Sequence, residues 1–102
     1  MIRHIVLIRF RPEVTEAQIT EIFAALPPLA ARTGVLQHAF GRSKSPEQIE
    51  RGYMHGFTLD FTDWDALAVY AADAEHRAFG GRLVAHAEGG IDGILVFDLE
   101  AA

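Results

Sequence analysis

The sequence predicts an α+β domain: a four-stranded antiparallel sheet with helices layered on one face. Two observations predict it. Across 102 residues the periodicities follow the order strand, helix, strand, strand, helix, strand, an order that at this length gives an antiparallel sheet backed by helices. Right-handed crossovers then place both helical connections on the same side of the sheet.

Ile2–Phe10 reads as the first strand, rich in Ile, Val and Leu and closed by Pro12. Thr15-Glu-Ala-Gln18 is a capping box that opens a helix with Ile19, Ile22, Phe23 and Leu26 on one stripe. Pro27-Pro28 should end or kink that helix, and Gly34 marks the turn into a second strand over Val35–Gly41. The polar stretch from Arg42 to Gly52 has no period and reads as a loop, with Arg42-Ser-Lys-Ser45 lacking the glycines of a phosphate loop. Tyr53–Phe61 is the third strand. Thr62-Asp-Trp-Asp65 opens a helix through Ala72, a break is expected near Asp73, and a further helical piece runs from Glu75 to about Glu88. Gly89-Gly90 stops it before a last strand over Ile91–Leu99.

The chain is read as one domain over residues 1–102. A net charge of -5 argues against nucleic acid, which calls for a basic footprint. No apolar run approaches the roughly 20 residues of a membrane span, and the N-terminus, broken by Arg3, His4 and Arg9, does not read as a leader. A cytoplasmic protein is therefore expected. The absence of cysteine excludes thiolate chemistry and disulfides.

The strands carry a second message. In the first, His4, Val6, Ile8 and Phe10 face one way and Ile5 and Leu7 the other; in the last, Ile94 and Val96 oppose Leu95, Phe97 and Leu99. Both faces are apolar, as in sheets covered on both sides. The helices cover only one, so a homodimer packed sheet to sheet is expected.

Histidines mark the candidate site. His4 and His55 interrupt apolar strands, and His76 follows Tyr70 by six residues. Burying an imidazole is costly unless its nitrogens are satisfied, so such residues belong either to a satisfied core or to a pocket built for proton transfer. Parity puts His4 with Val6 and Ile8, and His55 with Phe57. If those faces look toward the helices, Phe23 and Leu26 lie above them and Tyr70, His76 and Phe79 complete the lining. Tyr70 and His76 would point about 120° apart on an unbroken helix and converge only through a break. A base near neutral pH beside a tyrosine hydroxyl suits deprotonation next to a carbonyl. No His-x-His or His-x-x-x-His spacing supports a metal, and no cofactor is expected. His38 is expected to be half exposed, and His86, near a helix C-terminus, to be structural.

Met1-Ile-Arg-His-Ile-Val-Leu-Ile-Arg-Phe10, Gly52-Tyr-Met-His55, the Tyr70–His76 segment with Phe79, and Val96-Phe-Asp98 together resemble the stress-responsive dimeric α/β-barrel (Dabb) domain family over nearly the whole chain. The resemblance implies a ferredoxin-like protomer that dimerises into an α/β barrel. The family includes plant polyketide cyclases that close a linear β-polyketide by aldol condensation. Similarity to them implies His76 as general base, Tyr70 as its helper, and His4 and His55 as pocket lining. This chain departs from the family at Asp73-Ala-Glu-His76, where many members read His-Pro-Ala-His. It also departs from the cyclases at Leu26, which replaces a tyrosine, and at Phe57, which replaces a valine. The reading that follows is a cofactor-independent, cyclase- or isomerase-like enzyme for a small apolar carbonyl compound. The alternative is a non-catalytic ligand-binding or structural stress-response dimer. The cofactor-free, quinone-forming members of the related dimeric-barrel monooxygenases rely on an asparagine, and this chain has none.

Overall fold

A computed structural model describes residues 1–101. The elements run β1 (Ile2–Ile8), α1 (Glu16–Phe23), α2 (Leu26–Arg32), β2 (Gln37–Arg42), β3 (His55–Phe61), α3 (Trp64–Ala72), α4 (Ala74–His86), a 3-10 turn (Gly90–Gly93) and β4 (Ile94–Glu100). The strands form one antiparallel sheet in the order β2-β3-β1-β4. This is the expected α+β, ferredoxin-like arrangement.

Local chemistry sets the boundaries. Thr15 caps α1 by accepting from the Gln18 N–H, while the Gln18 side chain accepts from the Thr15 N–H. Pro27 and Pro28 do not simply end this helix: they open α2, in its first turn, where a missing N–H costs nothing. Gly34 turns the chain out with φ +75°. The last strand starts at Ile94 instead of Ile91, because Gly89 and Gly90 take positive φ and the chain first winds through the 3-10 turn. The first strand stops at Ile8, with Phe10 held in a single bridge to Ala87.

Alternation in β1 is as clean as the sequence suggested: Ile2, His4, Val6 and Ile8 are buried beneath the helices while Leu7 is exposed. Ile8, Leu26, Leu59 and Phe61 are fully buried at the centre of the core, with Ile22, Phe23 and Phe79 around them. Each such side chain contributes roughly 1.5–3 kcal/mol relative to exposure. The opposite sheet face stays open. Leu7, Leu95, Phe97 and Leu99 remain 38–61% exposed there, flanked by buried Asp60 in a paired hydrogen bond with Arg3.

Candidate active site

A cavity of about 350 Å³ lies between the sheet and the α3–α4 pair. Its floor is His4 and Val6 from β1, Phe57 from β3, and Ile94 and Val96 from β4; its roof is Leu67, Tyr70 and Ala71 from α3 with His76, Phe79, Gly80, Leu83 and Val84 from α4. Ile91 stands at its rim. The walls are almost wholly apolar, and their polar side chains are two imidazoles and one phenol.

The break between α3 and α4 assembles the polar group. Asp73 leaves the helix with extended backbone (φ −68°, ψ 136°) and caps α4, its carboxylate accepting from the Glu75 and His76 N–H groups. The chain turns there, and the rings of Tyr70 and His76 come to 4.4 Å. His4 reaches the same group from below, 5.9 Å from the Tyr70 ring.

Hydrogen bonds set the chemistry of each ring. His76 Nδ1 lies 3.0 Å from the Ala71 carbonyl oxygen. A carbonyl can only accept, so Nδ1 carries the proton and Nε2 keeps its lone pair in the neutral ring. Burial lowers the His76 pKa and so favours that neutral form; the Ala71 hydrogen bond opposes the shift, and nearby His4 adds to it. His4 Nδ1 lies 2.5 Å from Asp98 Oδ1, so the same rule makes Nδ1 the donor. Tyr70 is 1% exposed, and burial, reinforced by the Asp73 charge, raises its pKa further above the usual phenol value. Its hydroxyl therefore remains a donor throughout the physiological range.

His4, Val6, Phe57, Tyr70, His76 and Phe79 thus share one cavity. The other residues singled out from sequence lie elsewhere. Ile8, Phe23 and Leu26 are core residues that do not line it. His55 shares a sheet face with Phe57, yet only Phe57, packed against Phe23 and His4, lines the cavity. His55 Nε2 instead donates to Glu16, 3.0 Å from both carboxylate oxygens, and Phe10 meets the imidazole edge to face at 5.4 Å. That hydrogen bond, with help from Arg42, holds the Glu16 carboxyl below its usual range. His38 is exposed against Phe40, and His86 Nδ1 donates to the Arg82 carbonyl one turn back. Sequence reasoning did not single out Asp98 for the site. Its signal was the antiparallel register of the first and last strands, which sets position 98 opposite position 4.

The described residues contain no cluster of three or more His, Asp or Glu fit for a metal ion, and none of their helices is long and apolar enough to cross a membrane.

Residues 2–101 match the Stress responsive A/B Barrel Domain, Dabb. The chain belongs to the Dabb family. Olivetolic acid cyclase of Cannabis sativa is 25% identical to this Dabb protein over 80 residues, covering 78% of this chain and 79% of the cyclase. A dimeric ferredoxin-like protein from a Jannaschia species superposes with a TM-score of 0.91 at 38% identity, over 98% of both chains. A hydroxynitrile lyase from Passiflora edulis shares the fold, with a TM-score of 0.82 at 20% identity over 96% of this Dabb chain and 90% of the lyase.

Proposed function

We propose that this Dabb protein is a cytoplasmic homodimer whose cavity binds a small apolar carbonyl compound and moves a proton at the carbon next to the carbonyl. The observation that carries it is the His76 hydrogen bond to Ala71, which leaves Nε2 as a base beside a buried tyrosine in an apolar cavity. His76 Nε2 takes the proton; the resulting imidazolium keeps its Nδ1–H on the Ala71 carbonyl. Negative charge then develops on the carbonyl oxygen, where the Tyr70 hydroxyl donates a hydrogen bond. His4, held through Nδ1 by Asp98, presents its other edge as a second polar contact. The proton returns from His76 to carbon, or to oxygen after a new carbon–carbon bond forms, which covers isomerase-like and cyclase-like outcomes without a cofactor.

The volume of about 350 Å³ falls at the small end of the usual range for small-molecule sites, which favours a compact ligand. Relatives named as a cyclase and a lyase support a small-molecule reaction. The open apolar face of β1 and β4 and a dimeric relative at 38% identity support the homodimer.

The test is exchange of the α-protons of phenylacetone in D2O, followed by proton NMR. The wild-type protein is expected to accelerate exchange over buffer, and His76→Gln to abolish the acceleration with its mass in solution unchanged. Equal rates for wild type and His76→Gln would overturn the assignment of His76 as base.

A further inference from the structure

An ion pair outside the cavity ends on the backbone that carries His76. Both Arg32 guanidinium NH groups donate to Asp73, at 2.8 Å each. The Asp73 side chain is only 17% exposed, although its partner is half in solvent. The same Asp73 Oδ1 that meets Arg32 also accepts from the Glu75 N–H at 2.8 Å and the His76 N–H at 3.3 Å. One carboxylate therefore joins the last residue of α2 to the first turn of α4.

That carboxylate sits where the helix must break. Without the break, Tyr70 and His76 would diverge by about 120°; with it, their rings are 4.4 Å apart and His76 Nδ1 finds the Ala71 carbonyl at the end of α3. We propose that Arg32 and Asp73 are positioning residues for His76: Arg32 clamps Asp73, and Asp73 fixes the break that sets the direction and tautomer of the His76 ring. The functional meaning rests on the reading of His76 as the base. The chain's own Asp73-Ala-Glu-His76 sequence supplies the device, since an aspartate is both an N-cap and an arginine partner, and the bidentate pair restricts it to one rotamer.

The charge of the pair matters as well as its geometry. Tyr70 from α3 packs on the His76 imidazole, and the charged or titratable groups that act on it are His4 from β1, Asp73 at the break and Arg77 on its own helix. Asp73 favours the protonated ring, whereas His4 and Arg77 oppose it. Arg32, paired with Asp73, offsets part of the Asp73 charge and keeps His76 available as a neutral base.

Nitrogen-15 NMR of the histidine rings in the full-length protein tests this without any ligand. Wild type is expected to show His76 in the Nδ1–H tautomer. Asp73→Ala should let the ring exchange between tautomers, while Asp73→Asn, whose amide oxygen can still cap α4, should restore the wild-type tautomer. The titration midpoint of His76 should move up in Arg32→Gln, where the Asp73 charge is uncompensated, and down in Asp73→Asn. His86, hydrogen-bonded one turn back on its own helix, serves as the internal control for the ring signals. If Asp73→Ala does not fold, the opposite shifts in the two milder variants decide the matter. A wild-type His76 tautomer in a folded Asp73→Ala protein, or a wild-type midpoint in both Arg32→Gln and Asp73→Asn, would overturn the proposal. Failure of ketone exchange, by contrast, would remove the role of His76 as base and with it the functional meaning of the clamp, whatever the ring signals show.

Discussion

His4 and Asp98 are direct cross-strand partners on β1 and β4, and the imidazole Nδ1 stands 2.5 Å from the carboxylate oxygen. His4 forms part of the cavity floor and Asp98 holds it from the neighbouring strand, so Asp98 determines which ring nitrogen of His4 is left for a ligand. Replacing Asp98 by Leu removes a charge-assisted acceptor and frees the ring to rotate and change tautomer. Such hydrogen bonds are worth about 1.5–3 kcal/mol, so phenylacetone exchange should fall by roughly tenfold or more. Asp98→Asn, which retains an acceptor oxygen, should lose less. Full activity in Asp98→Leu would remove His4 from the reaction.

The pH dependence follows from His76. Burial pulls its pKa below the usual histidine value, so the neutral base persists to lower pH than in a free imidazole. The exchange rate should be flat near neutrality and fall on the acid side, with its midpoint below about 6.5. Tyr70 is shifted the other way and adds no loss up to about pH 10. Stability has the same sign. A histidine that prefers to be neutral when folded exerts no penalty above the unfolded pKa, and destabilises progressively as pH falls toward the folded one. An acid limb centred above 6.5 would show that Asp73 and the Ala71 carbonyl outweigh burial.

Much of this architecture was legible in the chain because it depends on local rules. The Thr15 capping box, the break at Asp73 and the alternation of Ile2, His4, Val6 and Ile8 each follow from residue type and spacing. The site was legible only in part. Parity placed His4 and His55 on one face, but parity says nothing of what stands between two residues on neighbouring strands. Phe57, packed against Phe23 and Phe79, lines the cavity where His55 does not, and the His55 Nε2–H goes to Glu16, distant in sequence, while its buried Nδ1 has no partner among the described residues. The Asp98 carboxylate was hidden for a related reason, since its partner is set by strand register, which the alternating pattern alone left open.

Leu26 separates core from cavity. It is fully buried and does not line the cavity, so Leu26→Ala should destabilise the fold by about 2–5 kcal/mol and leave affinity for a carbonyl ligand within twofold. Urea unfolding, read beside a binding titration with phenylacetone, checks both halves. Phe79→Ala should show both effects, because Phe79 is buried in the core and part of the cavity wall: it should cost about 3–5 kcal/mol and weaken ligand binding as well.

The open sheet face supplies the last prediction. Phe97 is 61% exposed in an apolar strip that includes Leu7, Leu95 and Leu99, the kind of contiguous patch that marks a protein contact. A glutamate at position 97 would have to be buried in a sheet-to-sheet dimer, and an unpaired carboxylate in such an interface costs several kcal/mol. Phe97→Glu should therefore be a monomer by light scattering at concentrations where the wild type is a dimer. Because β4 turns Phe97 outward and its neighbours Val96 and Asp98 toward the cavity side, the monomer should also bind phenylacetone more weakly. A Phe97→Glu protein that remains dimeric would place the interface on some other surface.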